Sequence, residues 1–537
     1  MKNTILKLST LLLLITLMLS VVACNGAGGK TDTTLTESVQ STEQTSDKNT
    51  DEQTTDAATS ETATTQTQTT ETQTTEPQTT EPQTTEPVTT QAVTTEVTTE
   101  PITEQTETQD NTPLTIEALS QYWLKGQSMR FELGASQATL SKLEVTFSDT
   151  SLANKYEIDD DGTLVIPALS AGSLTVTVKS GQKQASCDVK IVSNRKNTVY
   201  ADDPRIQYIG RTEVNSDGDV VFNNTASGFE VRFFGTRLDV IMYDDKNKDV
   251  GAGVAVFVDG ETDPTAFNLY LNTDGYEEGG WRVFTLCSFD EPGMHTVKVQ
   301  KITEESITHA ALYSMTVTGE LLDVTTKYDV KIQVYGDSIT AGYGNMRPGG
   351  EADALKPETQ NGLMTYVARA CSSLNADMHV FAKSGLGLYT NPYGNTRWLK
   401  NIYSNVSPDS DTQWDMTSWV PDAVIINIGT NDVWAGNGSA GNTPFAAQDF
   451  IDNYVQMVSE LAEVWGKDTK FVLCSGMMEK SVNAHLEGVK SALAEQGISA
   501  YVVNLPYKSN SDGHPTKSSH SSAAYLLEYW LGVILNE

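Results

Sequence analysis

The sequence predicts a multidomain protein: a C-terminal α/β unit on a parallel sheet, preceded by a β jelly-roll and a small β-sandwich. Three observations predict it. The chain of 537 residues is long enough for about three to four folding units. Short alternating apolar strands fill Leu114 to Leu322, whereas strands and helical patterns alternate from Tyr328 onward. A Thr/Glu/Pro-rich tract separates these units from an apolar N-terminus.

Residues 1–24 read as a secretory signal. Lys2 and Lys7 precede an apolar run, Leu11 to Val22, that is too short to span a bilayer and ends at Val21-Val22-Ala23-Cys24. A small residue directly before a cysteine resembles a bacterial lipobox, which implies lipidation of Cys24 and a membrane anchor through that lipid alone. An extracellular, membrane-anchored bacterial lipoprotein is therefore expected. Residues 25–113 form a linker of Thr, Glu, Gln, Ser and Pro with TTEPQTTEPQTTEP as a repeat. It lacks the apolar side chains that would offset ordering entropy, so disorder is expected. From Thr31 to Pro113 it carries about 17 acids against the single base Lys48, nearly half of the net charge of −34. So acidic a chain excludes nucleic acid as a partner.

Residues 114–194 carry the strands KLEVTFSD, TLVIPAL, GSLTVTVKSG and ASCDVKIVS between turn residues, the pattern of a β-sandwich. The stretch AGSLTVTVKSGQKQASCDVKIV resembles bacterial immunoglobulin-like group 2 domains. Residues 195–325 contain GFEVRFFG, RLDVIMYD, GVAVFVDG, WRVFTLC, HTVKVQKI and ALYSMTVTG, whose number and spacing favour a jelly-roll. His295 and His309 have no ligand partners at metal spacing and read as structural. Trp281 either binds a sugar or fills the core, and the core is favoured. Cys187, Cys287, Cys371 and Cys474 form no C-x-x-C pair, so lone thiols are expected rather than a disulfide framework.

Residues 326–537 hold the chemistry. The strands VKIQVYG, DMHVFAKSG, DAVIINIG, KFVLCSGMM and AYVVNLPY alternate with helical patterns at 364–374, 446–465, 482–496 and 521–535. Ligands in parallel-sheet folds sit at the carboxyl ends of strands. There the chain places Gly336-Asp337-Ser338, Ser384-Gly385-Leu386-Gly387 and Gly429-Thr430-Asn431-Asp432, and SDGHPTKSSH follows near the C-terminus. Taken singly, Asp-Ser before a helix is an ordinary N-cap. Taken together, these segments supply what a serine nucleophile requires: a base, an orienting acid and oxyanion donors. Ser338 is the candidate nucleophile, His514 the base and Asp512 the orienting acid. The N–H groups of Ser338 and Gly385 and the amide of Asn431 are the candidate oxyanion donors.

These blocks resemble the SGNH/GDSL hydrolase superfamily, with Ser338, Gly385, Asn431 and His514 at the family positions. The flavodoxin-like fold of that superfamily is thereby implied. More narrowly, IQYIGR, GDSITAGYGN, NGLMTYVARA, SGLGLYTN, SWVPDAVIINIGTND and DGHP, following a jelly-roll, resemble carbohydrate esterase family 2. The resemblance covers roughly 195–537. It implies an acetylxylan-esterase-like enzyme that removes acetyl groups, with O-6 acetyls favoured, from acetylated glucomannan or xylan. The spacing Asp512-x-His514 departs from the superfamily's Asp-x-x-His. Some family 2 members orient the histidine through a backbone carbonyl, so Asp512 and a carbonyl remain alternatives.

His520 is a rival base, but no acid precedes it at the right spacing, and a place in the last helix is favoured. Asp337 and Asp432 imitate a glycosidase pair, with turn or cap roles favoured. Tyr389, Tyr393, Trp398 and Trp434 follow strand ends, where sugar platforms and ordinary packing are equally open. Tyr389 and Trp434 are taken as substrate-binding candidates. No nucleotide loop, dinucleotide motif or metal cluster is present, so no cofactor is expected. A monomer acting on polysaccharide is the expected state. Two rival readings stand beside it: an esterase of the cell's own wall polymers, and a carbohydrate-binding lipoprotein with a vestigial site.

Overall fold

Alternation with period two makes residues 114–192 strands, because every second side chain can then be buried. In the computed structural model the described residues are 111–537, except 245–251, 263–267, 271–279, 348–358, 395, 437–442 and 508–512. The expected signal segment, Cys24 and most of the linker lie outside them, as does Asp512. Thr115–Ala118, Ser128–Gly134, Leu164–Pro167 and Glu157–Ile158 belong to one four-stranded sheet. Tyr122–Leu124, Lys183–Val192, Gly172–Ser180 and Glu144–Phe147 belong to a second. Met129, Phe131, Leu164, Val176 and Val178 fill the space between them.

The next unit is built on long antiparallel strands: β1 (Lys196–Tyr200), β2 (Gly228–Asp244), β3 (Gly253–Val258), β4 (Gly280–Lys301) and β5 (Ala310–Leu322). Their central order is β5-β2-β4-β3, and β1 pairs with β5. Two pairs of strands expected from the sequence are single strands. GFEVRFFG and RLDVIMYD are both β2, and WRVFTLC and HTVKVQKI are both β4. The glycine between the first two marks a register shift rather than a turn. A Cβ on Gly235 would stand 2.1 Å from the Thr318 carbonyl oxygen, so only glycine lets the strands approach there. Trp281 also departs from expectation. It sits on the outer face of β4 and is 43% exposed, because the inward positions of that strand are taken by its neighbours in the period-two register.

The C-terminal sheet contains β6 (Val330–Gly336), β7 (Ala376–Ala382), β8 (Ala423–Asn427), β9 (Lys470–Gly476) and β10 (Ala500–Leu505). All four pairings are parallel, in the order β7-β6-β8-β9-β10. Its helices include α1 (Ser338–Ala341), α2 (Tyr366–Ser373), α3 (Thr430–Trp434), α4 (Ala447–Trp465), α5 (Val482–Glu495) and α6 (Lys517–Ile534). Tyr366, Val367, Leu527 and Leu531 cover one face of the sheet through α2 and α6. Phe450, Tyr454, Leu461, Leu486 and Val489 cover the other through α4 and α5. Helix α6 begins four residues earlier than its apolar periodicity suggests. Its first turn is the polar run Lys-Ser-Ser-His, and the Thr516 hydroxyl caps it by accepting the Ser519 N–H. The order of strands reverses between β6 and β8, which is where a crevice opens in such sheets.

The unit of one nine-stranded sheet is keyed into the α/β unit by Arg211. Its guanidinium is buried, with Nη1 donating to the carbonyls of Tyr403 (2.6 Å) and Asn405 (2.7 Å). Nη2 donates to Gln333 Oε1 (3.0 Å) and the Tyr335 hydroxyl (2.6 Å). The Trp414 ring lies 4.4 Å from the guanidinium carbon. Burial lowers the pKa of this arginine, with the Tyr335 hydroxyl opposing that shift. Arg211→Met should leave these acceptors unpaired and lower stability by about 3 kcal/mol. A leftward shift of the urea midpoint would show it, and an unchanged midpoint would refute the keying role.

Candidate active site

Strand β6 ends where Asp337 takes the N-cap position of α1, its Oδ1 accepting the Ile339 N–H at 2.9 Å. The cap makes Ser338 the first residue of the helix and places its hydroxyl against His514, Nε2 to Oγ 2.7 Å. Burial, and then the nearby Arg347 charge, pull the His514 pKa down to about 4. The ring is therefore neutral near pH 7 and accepts the Ser338 proton as a hydrogen bond. Arg347 Nη2 donates to the His514 carbonyl oxygen at 2.7 Å, and the Tyr343 ring lies 4.3 Å from the imidazole. These contacts fix both the backbone and one face of the ring.

The second block follows β7. Gly385 has φ +79°, a conformation that other residues adopt only with strain. Asn431, at the start of α3, donates from Nδ2 to the Leu386 carbonyl at 2.9 Å and so ties the second block to the third. The neighbouring Asp432 carboxylate accepts the N–H groups of Leu388 (2.8 Å), Tyr389 (3.0 Å) and Thr390 (3.2 Å). Burial pushes Asp432 up to about 6, although these three donors oppose it. Asp337 is raised to about 7 by burial, with the Asp432 charge adding to it. Both carboxyls are occupied with backbone N–H groups inside the fold, which removes the glycosidase alternative: neither faces an open cleft.

Not every candidate remains at the surface. Tyr389 is buried, and its hydroxyl is engaged by the Ala446 backbone, accepting from N at 2.7 Å and donating to O at 3.2 Å. It is a packing residue, not a sugar platform, because the bonds from Asp432 draw its backbone inward. Trp434 is 43% exposed, with Nε1 3.4 Å from Glu479 Oε2. Tyr393 is 63% exposed and lies across Gly385, where an added Cβ would meet its ring at 3.2 Å. His520 is buried and accepts the Tyr366 N–H at Nδ1, 3.2 Å, which commits that nitrogen to the chain. Asp512 lies outside the described residues. Among those residues, no group of three His, Cys, Asp or Glu side chains is placed to hold a metal.

One contributor comes from the other unit. Glu304, in the loop after β4, is buried and accepts the Ser384 N–H and hydroxyl, both at 2.6 Å. The adjoining Glu305 accepts from the Ser407 hydroxyl (2.6 Å) and the Asp409 N–H (2.8 Å). The nine-stranded unit thus holds the residue directly before Gly385. Sequence reasoning missed Glu304, Tyr343 and Arg347. Tyr343 was the most accessible of these, since it stands just past Gly342, which ends the single turn of α1 in the left-handed region. Glu304 carries no local signal.

Comparison with known proteins finds two family matches along the chain. Residues 334–502 match the GDSL-like Lipase/Acylhydrolase family, and residues 208–324 match the Carbohydrate esterase 2 N-terminal domain. The chain is 28% identical over 339 residues to the cellulase/esterase CelE of Acetivibrio thermocellus, covering 60% of this chain and 39% of CelE. It is 27% identical over 340 residues to an acetylxylan esterase / glucomannan deacetylase of Cellvibrio japonicus, covering 61% of this chain and 88% of that protein. A solved family two carbohydrate esterase from Cellvibrio japonicus superposes with a TM-score of 0.54 at 25% identity, over 64% of this chain and 98% of that one. Another, from Clostridium thermocellum in complex with cellohexaose, gives 0.54 at 25%, over 62% and 99%. The chain thus carries a CE2 N-terminal domain followed by an ester-hydrolase domain of the GDSL type, and the relatives and structures it resembles are family 2 carbohydrate esterases.

Proposed function

We propose that this chain is a serine O-acetyl esterase of polysaccharides, carried outside the cell on a lipidated Cys24 and a disordered linker. The observation that carries the reading is the 2.7 Å hydrogen bond between Ser338 Oγ and His514 Nε2 at the carboxyl end of a parallel strand. Acetylated glucomannan or xylan is the proposed substrate class, in line with the names of the Cellvibrio relatives, and O-6 acetyls are the proposed position. The first β-sandwich is proposed to be an immunoglobulin-like spacer.

The proposed chemistry is a two-step acyl transfer. Ser338 Oγ bonds to the acetyl carbonyl carbon as His514 takes its proton. The resulting oxyanion faces the N–H groups of Ser338 and Gly385 and the free N–H of the Asn431 amide, donors that act without reorganising. His514 then gives the proton to the sugar oxygen as the ester bond breaks, leaving an acetyl-serine. Water attacks that ester while His514 takes its proton, and release of acetate restores the serine hydroxyl. Asp512 or a backbone carbonyl orients His514. Trp434 and Tyr393 supply apolar faces for the sugar at the rim.

Ser338→Ala should cut acetate release from acetylated glucomannan and xylan by about 10³-fold or more, with the thermal midpoint within about 2 °C of wild type. Acetate released equally by both proteins would sink the assignment. Release from peptidoglycan alone would redirect the enzyme to its own wall. The pH profile is a second test. His514 must be unprotonated to accept a proton, so kcat/KM should hold from neutral pH downward and fall only as pH drops through about 4. An acid limb near 6.5 would contradict the burial argument. Third, Glu304→Ala should lower kcat about 10- to 100-fold, with KM for a small soluble acetyl ester little changed. Glu304→Gln keeps one acceptor oxygen and should recover part of the loss; equal loss in both variants would point to a folding defect.

A further inference from the structure

The outer face of the nine-stranded unit carries four aromatic side chains in a continuous row, on four neighbouring strands. Tyr200 on β1 meets Tyr313 on β5, with ring centroids 5.6 Å apart. Tyr313 meets Trp281 on β4 at 5.6 Å, and Trp281 meets Tyr243 on β2 at 5.2 Å. Tyr200 is 57% exposed, Trp281 43% and Tyr313 40%. The strands place these rings on one face. Tyr243 is the direct cross-strand partner of Trp281. Tyr313 falls at the register shift between Ile241 and Met242, an extra residue that turns its ring outward.

The rest of that face is polar in a particular way. Behind the rings, Ile241 pairs with Val283, and Asp239 pairs with both Thr285 and Thr316. Arg237 and Thr285 both bond to the Asp239 carboxylate, and the Thr198 and Thr316 hydroxyls meet at 2.8 Å. Arg237 and Asp239 balance one another, and exposed Lys196, opposite Thr318, leaves this flank with one cation in excess. A row of open rings normally marks a binding surface, since soluble domains seldom leave such area to water. A flank lined with threonine hydroxyls, whose one excess charge lies at its far end, favours an uncharged, hydroxyl-rich occupant over an acidic or basic one. Ring-to-ring spacing is close to the length of one pyranose, and interplanar angles of 76°, 59° and 54° tilt successive rings against one another rather than closing them into a stack.

We propose that Tyr200, Tyr313, Trp281 and Tyr243 form a second, non-catalytic binding platform for a neutral β-linked polysaccharide chain. The apolar faces of successive sugars lie on the rings, and their hydroxyls exchange hydrogen bonds with the threonine and Arg237–Asp239 flank. The platform holds polymer near the esterase unit without taking part in the ester chemistry. The choice of polysaccharide rests on the esterase reading, but the deciding readout is binding rather than acetate release.

The full chain would be run in native gels containing unacetylated glucomannan, and titrated with cellohexaose. A Trp281→Ala/Tyr313→Ala double variant should bind about tenfold more weakly than wild type. Its rate on a small soluble acetyl ester should be unchanged. Tyr200→Ser, at the most exposed ring, serves as a second variant with little bearing on folding and should also weaken binding. Trp434→Ala/Tyr393→Ala, at the esterase rim, should leave part of the retardation intact. The proposal is overturned if wild type shows no retardation. It is equally overturned if both platform variants bind as wild type does, or if the rim variants alone abolish binding. A catalytically silent chain that still bound through Trp281 would sink the esterase reading and keep the platform.

Discussion

Taking a guanidinium out of water is costly unless acceptors replace the solvent, and at Arg211 both Nη groups meet them while the buried Nε has no partner. No carboxylate receives it. Two backbone carbonyls, a glutamine oxygen and a tyrosine hydroxyl do, with Trp414 closing one side. All of these acceptors belong to the α/β unit, and the arginine belongs to the strand-rich unit before it. The acceptors have fixed directions, so the two units meet in one register. Glu304 and Glu305 depend on that register, because a carboxylate reaches Ser384 or Ser407 only if the loop after β4 arrives in the right place.

The same economy of buried charge shapes the site. Asp337 and Asp432 are acids whose acceptor capacity is taken up by backbone N–H groups, so they hold loops in shape. His514 is a base kept neutral by burial and by Arg347, yet with Nε2 aimed at a hydroxyl. His520 suffers the same desolvation, which takes it down to about 3, but its nitrogen is spent on the Tyr366 N–H. Two histidines six residues apart thus have comparable electrostatics and different chemistry. Direction, not pKa, separates them.

Much of this was legible along the chain. The period-two strands, the later alternation of strand and helix, and the three strand-end blocks stand in the sequence because each is local. Ser338 and His514 were readable as a candidate pair by residue type, and the fold places them 2.7 Å apart. Other features were misread for equally physical reasons. Two β2 segments looked like separate strands because a glycine at a bulge resembles a glycine at a turn. Tyr389 looked like a platform because aromatics after strand ends often are, but the Asp432 carboxylate pulls its backbone inward. Trp281 looked like core because large rings usually are, yet strand register faces it outward.

The sequence by itself determined which residue types stand at strand ends, where apolar periodicity changes, and which composition cannot build a core. Those are properties of neighbours along the chain, set by backbone geometry and side-chain polarity over a few residues. Only the tertiary structure decided that Glu304 holds Ser384, that Arg211 is buried among carbonyls, and that four rings from four strands share one face. Each of those depends on contacts between residues far apart in the chain. Burial and direction at such contacts come into being when the strands pair and the units dock, and no local pattern carries them.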